Sequence, residues 1–268
     1  MAAPNYEQIQ SFDHVTEQLR EAAVDEFMES LYDGISLAEV IEEATRIAEK
    51  FALLGAELGA QWYDLCSELA GIDNEPAYVD SPDAERLGAR ARDAIEQAGE
   101  KPFHSAFDIY MQTVINDSIR DTGNANLWRD YERGLAGGRY ARVPVGDTCA
   151  WCMMLASQGA WYLTEESAGG FDPNHFHDNC NCKVVYHADA ESIKGYGELA
   201  DYKRKYYDAD NIRRANSSGR EKYPQELKER IASAKAAHIA KLEAGDTDKP
   251  WTVYNEDLII MRYKYGLK

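Results

Sequence analysis

Four of the five cysteines fall in one 34-residue window, as Cys149-Ala-Trp-Cys152 and His177-Asp-Asn-Cys180-Asn-Cys182. Two thiolates two residues apart can turn toward one ion, and a second short cluster then completes a tetrahedral shell of nitrogen and sulfur. Zinc is the expected occupant, because thiolate with imidazole suits it and iron–sulfur clusters usually take four cysteines. The window presents five ligands for four positions. Cys149 and Cys152 form one pair, and His177, Cys180 and Cys182 compete for the remaining two places. Cys180 and Cys182 alternate about Asn181, so an extended strand continuing through Lys183-Val184-Val185-Tyr186 points both thiols to one face. His175 is the substitute for His177, whose two-residue spacing from Cys180 fits better.

The competing chemistry is a pair of disulfides, which belongs to exported proteins. Met1-Ala2-Ala3-Pro4-Asn5-Tyr6-Glu7 has neither a basic start nor an apolar core, so no secretory signal is expected and metal is favoured over disulfide. Cys66, alone in a helical pattern, reads as a small buried apolar residue.

The elements that must position this window are mostly helical. Residues 6–33 show Phe12, Val15, Leu19, Ala23, Phe27 and Leu31 at helical spacing, with Gly34 as the terminator. Ser36-Leu-Ala-Glu39 is a capping box opening a second helix whose stripe runs from Val40 to Leu58. Its Gly55-Ala-Glu-Leu-Gly59-Ala60 stretch would let another helix approach closely. Ser81-Pro82-Asp83 predicts an N-cap and first turn for a third helix to about Ala98. A fourth, from near Pro102, carries Phe107, Met111, Val114, Ile115 and Ile119 on one face, and Gly123 interrupts or ends it. The glycine-rich 134–138 stretch marks a boundary.

Beyond it, residues 139–145 read as extended, and Asp147 or Thr148 caps a short helix containing Cys152 that Gly159 terminates. Residues 160–163 and 182–186 read as strands. Residues 190–245 are helical, broken at Asn216-Ser-Ser-Gly219, and the apolar 251–265 terminus is expected to dock on this chain or a neighbour. The fold class is α+β: an acidic helical domain over 1–136, a small zinc-clasped α+β module over 137–190, and a helical region over 191–268.

The chain carries 29 basic and 47 acidic side chains, net −18, very unevenly placed. Residues 1–140 hold 11 basic and 28 acidic groups, net −17, and the remainder is nearly neutral. The N-terminal half therefore repels nucleic-acid phosphates, and suits a basic protein partner or simply solubility. No run of eighteen apolar residues occurs, so no membrane span is expected.

Arg142-Val-Pro144, Cys149-Ala-Trp-Cys152-Met-Met-Leu-Ala-Ser-Gln-Gly159, a tyrosine strand and His177-Asp-Asn-Cys180-Asn-Cys182 together resemble the MuF-like minor head proteins of tailed bacteriophages. The resemblance covers about 50 residues well, and elsewhere only length and helical content agree. It implies a virion component made in the host bacterial cytoplasm, built into the head near the portal in few copies. It implies portal, capsid or scaffold proteins as partners, with weak contact to packaged DNA as a lesser expectation. The zinc in such a protein is structural: side chains fill all four positions and leave none for substrate.

Enzyme readings fare worse. A zinc deaminase needs His-x-Glu before Pro-Cys-x-x-Cys, and this chain has neither the order nor the content. His-Glu-x-x-His and a phosphate-binding glycine loop are also missing. Because some MuF-like domains are fused to toxins, ADP-ribosyl transfer stands as a remote alternative, with Arg142 and Glu165 or Glu166 as its candidates. A zinc-stabilised nucleic-acid-binding module is the other alternative. Lys203 to Arg214 mixes five basic residues with Tyr202, Tyr206 and Tyr207, but Asp201, Asp208 and Asp210 dilute the field, and a solvated helix face is the expectation. Ser157, Asp147, His14, His104, His187 and His238 receive no catalytic role; each reads as a cap, a turn or a partly buried surface residue.

Overall fold

The computed structural model describes residues 3–98, 103–135, 139–145, 148–160, 182–189, 193, 196, 198–245 and 250–267. Among these residues are eight helices and a two-stranded antiparallel sheet, which fits the α+β class. They form two compact units, residues 1–145 with 160–194, and residues 146–159 with 195–268.

The first unit is built on four helices: α1 (Tyr6–Ser30), α2 (Leu37–Ala70), α3 (Ala84–Ala98) and α4 (Phe103–Glu132). Asn5 and Gln8 form a capping box that starts α1, and Ser36 with Glu39 forms the expected one at α2. α1 ends at Ser30, before Gly34. Its inward stripe is Ile9, Phe12, Thr16, Ala23 and Phe27, and Val15 is exposed. α3 starts later than Ser81-Pro82 suggests, because Asp83 is the cap: its carboxylate accepts the Arg86 N–H at 3.0 Å and its carbonyl the Leu87 N–H at 3.0 Å.

α2 and α4 pack closely through the small residues of α2. A Cβ on Gly59 would lie 2.8 Å from Ile119 Cα, so only glycine permits this backbone approach. Aromatic pairs fill the core around it, with Phe12 stacked on Trp62 at 4.2 Å and Phe27 on Phe107 at 4.0 Å.

Gly123 does not end α4, which runs on through it for nine further residues to Glu132. The glycine instead makes room for a ring. A Cβ there would sit 2.5 Å from Tyr186 Cζ, and closer still to the hydroxyl.

Tyr186 belongs to β2 (Lys183–Ala188), which pairs antiparallel with β1 (Arg139–Val143). Arg139 faces Ala188 and Ala141 faces Val185, so one residue of β1 opposes two of β2, a β-bulge. Its second residue, His187, has φ +56°, the one positive φ outside glycine among the described residues. β2 packs on α2 and α4, and Trp62 Nε1 donates to the Val184 carbonyl at 2.7 Å.

The second unit holds α5 (Ala150–Ser157), α6 (Leu199–Ser217), α7 (Gln225–Ala244) and α8 (Val253–Tyr265). α5 and α8 pack on α6, and α7 packs on α8. The apolar C-terminal stretch thus docks on its own chain, burying Leu258, Ile260 and Met261. Arg213 Nε donates to Asp257 at 2.7 Å, and Tyr223 donates to Glu256 at 2.6 Å.

Within the 137–190 segment β2 packs on α2 and α4 and pairs with β1, while α5 buries Met153, Met154 and Leu155 in the unit of the C-terminal helices. The expected strand over residues 161–163 lies outside the described residues.

Candidate metal centre

Cys149 is the N-cap of α5, a place expected for Thr148 or Asp147; Asp147 lies outside the described residues. The Cys149 backbone is extended (φ −77°, ψ 163°), and its sulfur accepts the Cys152 N–H at 3.4 Å. Its carbonyl accepts the Met153 N–H at 3.0 Å, the first bond of the helix. The thiol does what serine or aspartate does at other caps, because a sulfur at the cap and an amide three residues on meet across the first turn. Amides directed at the sulfur complement negative charge there. Cys152 occupies that third position, buried, so the pair shares one helical turn, as the two-residue spacing requires.

Cys182 is half-buried at the entrance to β2. The next residues fix that entrance to the helical core: Lys183 Nζ lies 3.1 Å from Asp13 and donates to Asn116 at 3.1 Å. Burial lowers the Lys183 pKa, and the Asp13 carboxylate opposes the shift. His177, Cys180 and the substitute His175 lie outside the described residues. Among the described residues no group of three or more His, Cys, Asp or Glu is placed to hold a metal. By donor chemistry the thiols of Cys149 and Cys152 on one turn of α5 and, separately, the thiol of Cys182 at the entrance to β2 are soft ligands of the kind zinc takes.

The other candidates resolve differently. Cys66 is a fully buried free thiol on α2, pushed up to about 12 by burial. Arg142 is buried within β1, while Glu165 and Glu166 lie outside the described residues. On α6 four of the five basic residues meet acidic neighbours: Arg204 and Lys205 pair with Asp201, and Arg213 and Arg214 with Asp210. Tyr202 and Tyr206 are buried, so they cannot stack on bases.

His187 is not a surface residue. It is fully buried, and its Nε2 lies 3.1 Å from the Tyr63 hydroxyl. Tyr63 donates to Asp130 Oδ2 at 2.8 Å, Asn74 donates to the same oxygen at 2.8 Å, and Arg129 donates to Oδ1 at 2.9 Å. The tyrosine proton points at the carboxylate, so His187 is the donor to Tyr63, a neutral imidazole with its proton on Nε2. Burial pushes its pKa down to about 4. Burial raises the Tyr63 pKa, and the bond to Asp130 raises it further. Burial opposes ionisation of Asp130, but bonds from Arg129, Asn74 and Tyr63 outweigh it and hold the carboxyl below its usual range. No sequence signal joins these residues: Tyr63 and His187 stand 124 positions apart and meet because the bulge turns His187 inward.

Among the described residues the fold is a set of helices with one small antiparallel sheet. The VG15 protein family model matches residues 4–209, which include every cysteine of the window, and the chain belongs to this viral family. No curated protein and no solved structure matches the chain. No helix among the described residues is long and apolar enough to cross a membrane.

Proposed function

We propose that this protein is a structural minor head protein of a tailed bacteriophage, incorporated in the virion near the portal and stabilised by one structural zinc. The observation that carries the reading is the Cys149–Cys152 turn, in which the cap sulfur receives the Cys152 amide, within a chain of a viral family. Zinc takes its four ligands from Cys149, Cys152, His177, Cys180 and Cys182. Bound zinc supplies charge neutralisation for the thiolates and a crosslink across the window; it leaves no open position for substrate. Cys149 orients its sulfur by capping α5, and Lys183 and Val184 hold the approach of Cys182 to β2 in place. The partners are portal, capsid or scaffold proteins, which the acidic N-terminal half meets through basic surfaces.

The nucleic-acid-binding alternative is weakened by the ion pairs on α6, which neutralise four of the five basic side chains that would meet phosphates.

Elemental mass spectrometry on untagged protein purified under reducing conditions tests the zinc. The expected content is about one zinc per chain, lost in Cys149→Ser. Cys66→Ser should keep the metal. Metal-free protein with rapidly reacting thiols in the window would overturn the reading.

A further inference from the structure

The outward face of α4 is unusual for a unit this acidic. Asp121, Ala125, Trp128 and Glu132 recur at four, three and four residues, which places them on one face of the helix. Trp128 is 58% exposed and Tyr131 63%, and their rings stack at 5.7 Å. Two large aromatic rings held together in solvent are poorly explained by the fold, since neither contributes to the core.

The segment 74–83 runs beside this face. Asn74 is tied to Asp130, Tyr78 exchanges two hydrogen bonds with Asn126, and Asp80 shares a cavity of about 160 Å³ with Asp121 at the far end. Tyr78 is itself 44% exposed. The cations close to this surface are engaged within the unit. Arg129 donates to the carbonyls of Glu75 and Pro76 while its guanidinium covers Tyr78, and Arg133 pairs with Glu75. Asp121 pairs with Arg120 at 3.7 Å. The face therefore offers aromatic rings and carboxylates.

We propose that this acidic, aromatic face of α4, with Tyr78 beside it, is the docking site for a lysine- or arginine-bearing segment of a basic protein partner. Cations dock on tryptophan and tyrosine faces, and exposed Trp and Tyr are the residue types that dominate binding energy at interfaces. Charge decides between occupants. A second copy would bring together two chains of net −18, and nucleic acid meets the −17 of residues 1–140, whereas a basic polypeptide gains from both. The inference names the partner chemistry of the assembly role proposed above and rests on that role for its setting.

The test is fluorine NMR on the full chain labelled with fluorotryptophan, the Trp128 resonance being assigned from Trp128→Phe. The probe is a decaarginine peptide at physiological ionic strength. A saturable shift of the Trp128 resonance is expected. Glu132→Lys should weaken binding about tenfold, while Glu57→Lys, the same charge change on an exposed position of α2, should alter it by less than about twofold. An unmoved Trp128 resonance, or equal weakening by both reversals, would overturn the site and leave only bulk attraction. A Trp128 shift produced by short duplex DNA instead, or Trp128-dependent self-association in sedimentation, would assign the face to those occupants. Peptide binding at Trp128 by a protein that is missing from purified particles would sink the assembly role and leave the docking site standing.

Discussion

His187 makes the first unit sensitive to acid in a way that can be calculated. Its imidazole is neutral in the fold, with a pKa of about 4, against 6.5 when unfolded. The folded-state value is the lower one. Above the unfolded pKa both states are neutral and the residue contributes nothing to pH dependence; as pH falls through 6.5 the unfolded chain takes up a proton that the native state refuses, so stability declines until pH falls to the folded value. The full loss is about 3 kcal/mol, of which about 2 kcal/mol is incurred by pH 5. The physical cause is the donor requirement of the network: a second proton would charge a ring that has no exposure and no facing carboxylate, since Tyr63 stands between it and Asp130. Urea unfolding followed by circular dichroism from about pH 8 to pH 5, beside His187→Asn, separates this from other titrations. Asparagine tolerates the left-handed backbone at this position and cannot titrate. The variant should be less stable near pH 8 and lose about 2 kcal/mol less than the natural protein on acidification. Parallel pH profiles for the two proteins would refute the reasoning.

Two other perturbations test the packing. Gly123→Ala gains about 1 kcal/mol of helix propensity but forces a methyl into the Tyr186 ring, so a net loss of about 1–2 kcal/mol is expected in chemical denaturation. Tyr186→Leu in the same chain should restore part of it, and an alanine that stabilises the protein would contradict the close approach. Arg213→Ala strands Asp257, which is 1% exposed and whose pKa burial already raises; a loss of about 3 kcal/mol is expected, with α8 released to limited proteolysis. An unchanged cleavage pattern would show that the pair does not hold α8.

Periodicity revealed most of the helices, because each buries one stripe. The small residues of α2 correctly announced a close helix neighbour, though not that it would be α4. What stayed hidden depends on pairs distant in sequence. Gly123 looks like a terminator until Tyr186, 63 residues later, is placed against it. Val15 has the right spacing for a core residue, yet the stripe of α1 is set by which face Trp62 and Phe107 present. His187 looks ordinary because nothing local signals a bulge. At the cysteines, the two-residue spacing told that Cys149 and Cys152 share one helical turn, but not that Cys149 caps it, since cysteine is not among the favoured capping residues.

That cap couples two equilibria. If the sulfur of Cys149 both receives the Cys152 amide and holds a metal, ordering of α5 and metal affinity become one linked free energy, and the linkage runs both ways. α5 is itself held by α6 and α8. Anything that loosens the C-terminal helix should therefore weaken metal retention by way of α5, and chelation should in turn make α8 easier to detach.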